Sequence, residues 1–172
     1  MTSRVLQFVM LIAAIGLSGA GAAPTRAEDD DVAALAAALK DTKFTLQDGL
    51  KASEGQGQPI SAQFEIGNGK LQLSIYTSKG DDFAEVVADP KTGAIVSSEK
   101  ITDTDDLNDA AEQKAAMSKA TVSLIAAADT AVKDNAGFRV VGIFPELEDG
   151  HAIAEVTLLQ GTTAKKVTEK LD

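Results

Sequence analysis

Two turn dipeptides, each set between runs of alternating polarity, constrain this chain more than any other feature. Asn68-Gly69 and Asp149-Gly150 are favoured in the tightest hairpin turn, where both central residues need positive φ. Similar runs follow them, Gly69 to Tyr76 and Gly150 to Thr157, and each ends in another glycine at the same distance, Gly80 or Gly161. A hairpin that recurs in this way marks a repeated unit. Ahead of the first turn Ile60, Ala62, Phe64 and Ile66 alternate with Ser61, Gln63 and Glu65. Behind it Leu71, Leu73 and Ile75 alternate with Lys70, Gln72 and Ser74. A period of two predicts one buried face and one wet face. A third strand is expected over Phe83–Ala88 and a fourth over Ala94–Ile101. Between them Asp89-Pro90-Lys91-Thr92-Gly93 reads as a turn, because proline presets φ and glycine accepts a positive one.

A helix precedes each hairpin. Thr45-Leu46-Gln47-Asp48 resembles a capping box with Asp in the usual place of Glu, and its helix should run to about Glu54. The second helix is expected over Ser118–Asn135, with Gly137 as its stop and Val122, Ile125, Ala126 and Val132 along its buried stripe. The second hairpin spans Phe138–Leu147 and His151–Leu159. Ala164–Glu169 is either a third strand or a terminal helix. Val32, Leu35, Ala36 and Leu39 fall at helical spacing and predict a short lead helix. Thr102–Met117 begins acidic, where a helix N-terminus is positive, and reads as a helical connector, either separate from the helix that follows or continuous with it.

The helix-plus-meander unit resembles the PepSY domain, a small module of metallopeptidase propeptides and envelope proteins. The resemblance rests on Thr45-Leu46-Gln47-Asp48 at the helix start and Pro59-Ile60-Ser61-Ala62 entering the first strand. It rests also on Asp89-Pro90-Lys91-Thr92-Gly93 followed by Ala94-Ile95-Val96. The last group is similar to the family's D-x-x-T-G turn. The second copy, from about Thr121, lacks that turn and is degenerate. The resemblance implies a cystatin-like helix packed on an antiparallel sheet, association with proteins in the envelope, and restraint or regulation of peptidases. It implies no catalytic residues.

The N-terminus reads as a cleavable export signal. Arg4 is the positive region, Val5 to Leu17 the apolar run, and Ser18 to Ala23 the small-residue stretch leading to Ala27. Cleavage is expected after Ala27, with Ala22 and Ala23 as alternatives. The apolar run is shorter than the roughly 20 residues that span a bilayer, and the chain has no cysteine to carry a lipid anchor. Removing Arg4 and Arg26 changes the net charge from −10 to −12. Such an acidic chain is unsuited to nucleic acid or anionic membrane surfaces, and it suits a basic partner. A periplasmic or secreted location without a stable membrane anchor follows.

Catalytic and metal chemistry find little material. His151 is the sole histidine; it follows a turn and corresponds to Lys70. Nucleophilic catalysis needs a positioned base, and zinc sites draw on histidine and cysteine. The acidic run Asp103–Asp109 fails the calcium-loop pattern at Leu107, Asn108 and Lys114, so it reads as a solvated linker and helix cap. No cofactor is expected.

These readings converge on an α+β protein of two PepSY-like units, each a helix on an antiparallel meander. The expected segments are a signal peptide (1–27), a lead helix (28–41), unit one (42–101), an acidic connector (102–117) and unit two (118–172). The expected function is non-catalytic association with an envelope protein or peptide, including restraint of a peptidase in trans. An extended partner would pair with an exposed sheet edge, either Phe83–Ala88 or the final strand. Asp89, Lys91, Phe83 and Glu85 are the candidate partner contacts. A small-ligand or divalent-ion-binding periplasmic protein is the alternative, and the oligomeric state is left open.

Overall fold

The computed structural model describes residues 26–172, apart from residue 68. The expected leader through residue 25, and Asn68 of the first turn, lie outside the described residues. The described elements are α1 (Arg26–Leu39), α2 (Leu46–Ser53), β1 (Gln58–Gly67), β2 (Lys70–Lys79), β3 (Asp82–Ala88) and β4 (Ile95–Lys100), followed by α3 (Thr104–Lys119), α4 (Leu124–Asp134), β5 (Arg139–Glu148), β6 (His151–Gln160) and β7 (Thr163–Lys170). The class is α+β. All seven strands join one antiparallel sheet in the order β4-β3-β2-β1-β5-β6-β7.

The two hairpins match residue for residue. The β1–β2 ladder runs from Gly67↔Lys70 to Ser61↔Tyr76 and then skips Ile60. The β5–β6 ladder runs from Glu148↔His151 to Gly142↔Thr157 and skips Val141. In the second turn Asp149 and Gly150 both take positive φ, at 50° and 85°, as the tight hairpin turn requires. From Gly69 to Gly150 is a step of 81 residues, and the same step takes Ile60 to Val141 and Ala62 to Ile143. Ala62 and Ile143 themselves pair where β1 meets β5. The two stretches therefore meet across an approximate two-fold axis through that pair. The helices α1 and α3 hold corresponding places ahead of α2 and α4.

Helices cover both faces of the sheet. On one face α2 sits so close to β2 that a Cβ on Gly49 would collide with the Leu73 side chain, which is why a helix-weakening glycine stands there. Gln47 of α2 donates to Asp129 of α4 at 3.1 Å, so the two helices lie side by side. Leu46, Leu50, Ala62, Phe64, Leu73, Ile75, Ile143, Val156 and Leu158 form the core between them and the sheet. On the opposite face Gln113 of α3 accepts from Ser61 Oγ at 2.6 Å. A second cluster, Ile60, Tyr76, Phe83, Ile101 and Ala110, lies there.

Several expectations change. The side carrying Ser61, Gln63 and Glu65 is not a wet face: Ser61, Ser74 and Tyr76 are buried, because α3 returns across it. The single helix expected over 118–135 is broken. Thr121 N and Val122 N donate to Leu171 O at 2.6 and 2.8 Å, which takes from a helix the donors it would use internally. Ser123 then caps α4, accepting from Ala126 N at 3.2 Å. The buried stripe is accordingly Leu124, Ala127, Ala128 and Ala131, with Ala126 exposed and Val122, Ile125 and Val132 half-buried. The Ala164–Glu169 segment is the strand β7. Phe83–Ala88 is not an edge, since β3 lies between β2 and β4.

Arg139 ties the start of β5 to the α1–α2 link. Its guanidinium donates to the carbonyls of Leu39, Thr42 and Phe44 at 3.1, 3.2 and 3.1 Å and lies 5.4 Å from the Phe64 ring. Burial pushes its pKa down from the usual guanidinium value, and three carbonyls compensate part of that desolvation.

Candidate functional site

The sheet has two edges, and backbone groups at an edge lack a neighbouring strand. On β7 lysine stands at 165, 166 and 170. Lys166 pairs with Glu155 at 2.7 Å, and Lys165 lies 4.5 Å from the Phe138 ring. β4 is shorter and reads Ile-Val-Ser-Ser-Glu-Lys. Its one cation, Lys100, is paired with Asp82. Val96 is the extra residue of a bulge, since Val87 pairs with Ser97 while Ala88 pairs with Ile95. It is 61% exposed. Ile101 N donates to Phe83 O at 3.0 Å. Antiparallel ladders alternate, so Glu99 and Ser97 turn their backbone groups inward to β3, while Ser98 and Lys100 turn theirs outward. The same rule, started from Leu171 N donating to Ala152 O at 2.9 Å, turns Thr168 and Lys166 outward on β7.

Carboxylates gather beside the β4 edge, on the face that α3 covers. Glu99 pairs across to Glu85, Glu85 to Tyr76, and Tyr76 to Ser61. Burial raises the Glu85 pKa; Ser74 opposes this by hydrogen bonding, while Glu65, Glu99 and Asp106 add to it by repulsion. Burial also raises Asp106, with Asp103, Asp109 and Asp105 contributing. Tyr76 is pushed well above the usual phenol range by burial and then by Glu85, Glu65 and Asp106. Glu65 accepts from Ser74 Oγ and from Gln72 Nε2, each at 2.7 Å. Asp103 caps α3, accepting from Asp105 N and Asp106 N at 3.0 and 3.4 Å.

The four expected contact residues are not brought together. Phe83 is buried on β3, with Lys114 Nζ 5.7 Å from its ring centre. It cannot serve as an exposed contact. Glu85 is half-buried in the carboxylate group just described. Asp89 is half-buried and holds its turn, accepting from Lys91 N at 2.8 Å, while Gly93 N donates to Asp89 O at 2.8 Å. Gly93 takes φ +72° against the Phe44 ring. Lys91 is exposed on that turn. His151 is exposed, its Nδ1 lying 3.0 Å from Asp172 Oδ2, a hydrogen bond that holds the Asp172 carboxyl below the usual range.

Sequence reasoning missed Ser98, Glu99 and Lys100 as edge residues, because strand order is set by non-local pairing. Among the described residues no group of three or more His, Asp or Glu is arranged to hold a metal ion. A shallow, open depression of about 360 Å³ is lined by Asp81, Phe83, Ala111, Lys114, Ala115 and Ser118. Lys114 reaches across it to Gly80 O at 2.6 Å. Among the described residues no helix is long and apolar enough to cross a membrane.

No family model matches the chain, and no curated protein matches it. A crystal structure of a Clostridium difficile 630 protein, provisionally described as a lipoprotein, is similar with a TM-score of 0.45 and 13% sequence identity. The match covers 77% of this chain and 89% of that one. A likeness of this strength carries no functional argument.

Proposed function

We propose that this chain is a non-catalytic, exported protein of two PepSY-like, cystatin-like units. It works in the periplasm or outside the cell by taking an extended segment of another envelope protein onto the free edge of its sheet, with restraint of a peptidase in trans as one form of that association. The reading of the units is supported by the 81-residue correspondence of the hairpins and by the Asp89–Gly93 turn. The observation that carries the reading of function is β4. This strand is short, its outward positions hold Ser98 and Lys100, and Val96 stands exposed beside them. Main-chain hydrogen bonds from such an edge supply affinity, and the neighbouring side chains supply choice of partner.

A photocrosslinking residue at position 96, compared with one at position 168, tests this in envelope extract. Capture of a discrete protein at 96 and not at 168 is expected. Equal capture at both, or none at 96 together with unchanged peptidase activity on adding the chain, contradicts the reading.

A further inference from the structure

We infer that the segment taken up by β4 is basic, with lysine or arginine at alternate positions on the side of the sheet that α3 covers. This rests on the reading of β4 as the docking edge and adds the chemistry of what docks there.

A strand laid against β4 sends alternate side chains to alternate faces. Those on the α3 side come to rest beside Glu99, with Glu85 one strand further in and the acidic first turn of α3 close by. Opposite charges across neighbouring strands are favourable and like charges are not. The local cations are already engaged. Lys100 is paired with Asp82 on the other face of the sheet, and Lys114 is bound to Gly80 O and Asp81. Glu99, Asp103 and Asp105 are exposed, and repulsion from Glu99 is one of the causes that raise Glu85. The site is thus a free ladder flanked by acids that form no ion pair among the described residues. A second copy of this chain suits it poorly, because the formal net charge is −10 and two β4 edges would bring two acidic patches together.

The test is fluorescence anisotropy of the full chain with two labelled, end-blocked peptides. One alternates lysine with threonine, and the other alternates glutamate with threonine. The lysine peptide is expected to bind and the glutamate peptide to fail. Ser98→Pro, which removes an outward N–H, should weaken binding by about tenfold or more, equivalent to about 1.4 kcal/mol. Val96→Lys, at an exposed position, should do the same and guards against misfolding of the proline variant. Glu99→Lys should weaken binding by roughly threefold. Thr168→Pro on β7 should change nothing. If both peptides bind equally and both are lost in Ser98→Pro, the basic preference is wrong while the β4 edge stands. Binding that survives both Ser98→Pro and Val96→Lys overturns the edge as well. So does the absence of any binding. Sedimentation showing a dimer that Val96→Lys dissolves would make β4 a self-interface and overturn the inference.

Discussion

β7 and β4 close the same sheet at opposite ends, yet they treat their free backbone groups differently. The eight residues of β7 include three lysines; Lys166 is paired with Glu155, but Lys165 and Lys170 are exposed, so a strand arriving there would have to displace solvated charge. The six residues of β4 include one lysine, already paired, and an exposed valine at a bulge. The backbone path that leads to the two edges is otherwise closely matched, down to the skipped residues Ile60 and Val141. The matched backbone sets the stability of the fold. On the proposed reading, the unmatched edges decide where a partner adds.

The largest effect is expected inside the matched core. Leu73 and Ala154 occupy corresponding positions, and both are fully buried. Leu73→Ala should cost about 3 kcal/mol in denaturant unfolding. Ala154→Leu should cost about 1–3 kcal/mol by overpacking. Equal tolerance of both would mean that the two halves pack alike after all.

The helix caps come next. Thr45 caps α2 in a reciprocal box, accepting from Asp48 N while Asp48 accepts from Thr45 N. Ser123 caps α4 with no returning carboxylate. Thr45→Ala should cost about 1 kcal/mol and Ser123→Ala less. The Asp48 carboxyl is held below its usual value, chiefly by the Thr45 hydrogen bonds. Its contribution is therefore present above pH 3.8 and is lost as pH falls through the lowered value. Thr45→Ala should flatten that acid limb, and Ser123→Ala should leave it intact.

Glu85 has the opposite sign. Burial raises its pKa above 4.5, so the folded state is favoured while the group is protonated, and that advantage fades as pH rises through the raised value. Glu85→Gln should raise the melting temperature at neutral pH and leave it unchanged below pH 4.5. A lower melting temperature at neutral pH would mean that polar contacts of the Glu85 carboxylate outweigh repulsion and burial.

The smallest effect on stability, within about 0.5 kcal/mol for exposed sites, is expected at the edges. Replacing Lys165 and Lys170 with threonine should still change behaviour, because β7 would then resemble β4. Light scattering should show more self-association for this variant than for the wild-type chain.

The local parts of this fold were legible in the sequence. Asp149-Gly150 and the alternation around it specify a hairpin, and Thr45 with Asp48 specifies a helix start, because each depends on neighbours in the chain. The strand order was not legible, since it follows from Ala62 meeting Ile143. The polar run Ser61, Gln63 and Glu65 shows a strand but does not show that α3 covers it through Gln113. The break between α3 and α4 depends on Leu171, 50 residues from Thr121. At the site, the Asp89–Gly93 turn was readable, whereas the interior place of Phe83 and the edge place of Ser98 were not.

Amide hydrogen exchange tests the docking edge most directly. With the lysine peptide bound, the Ser98 and Lys100 N–H groups should exchange roughly tenfold more slowly or better, while Lys166 and Thr168 keep their free-state rates. Protection at Lys166 and Thr168, or none at Ser98 and Lys100 when the peptide is bound, would contradict docking at β4.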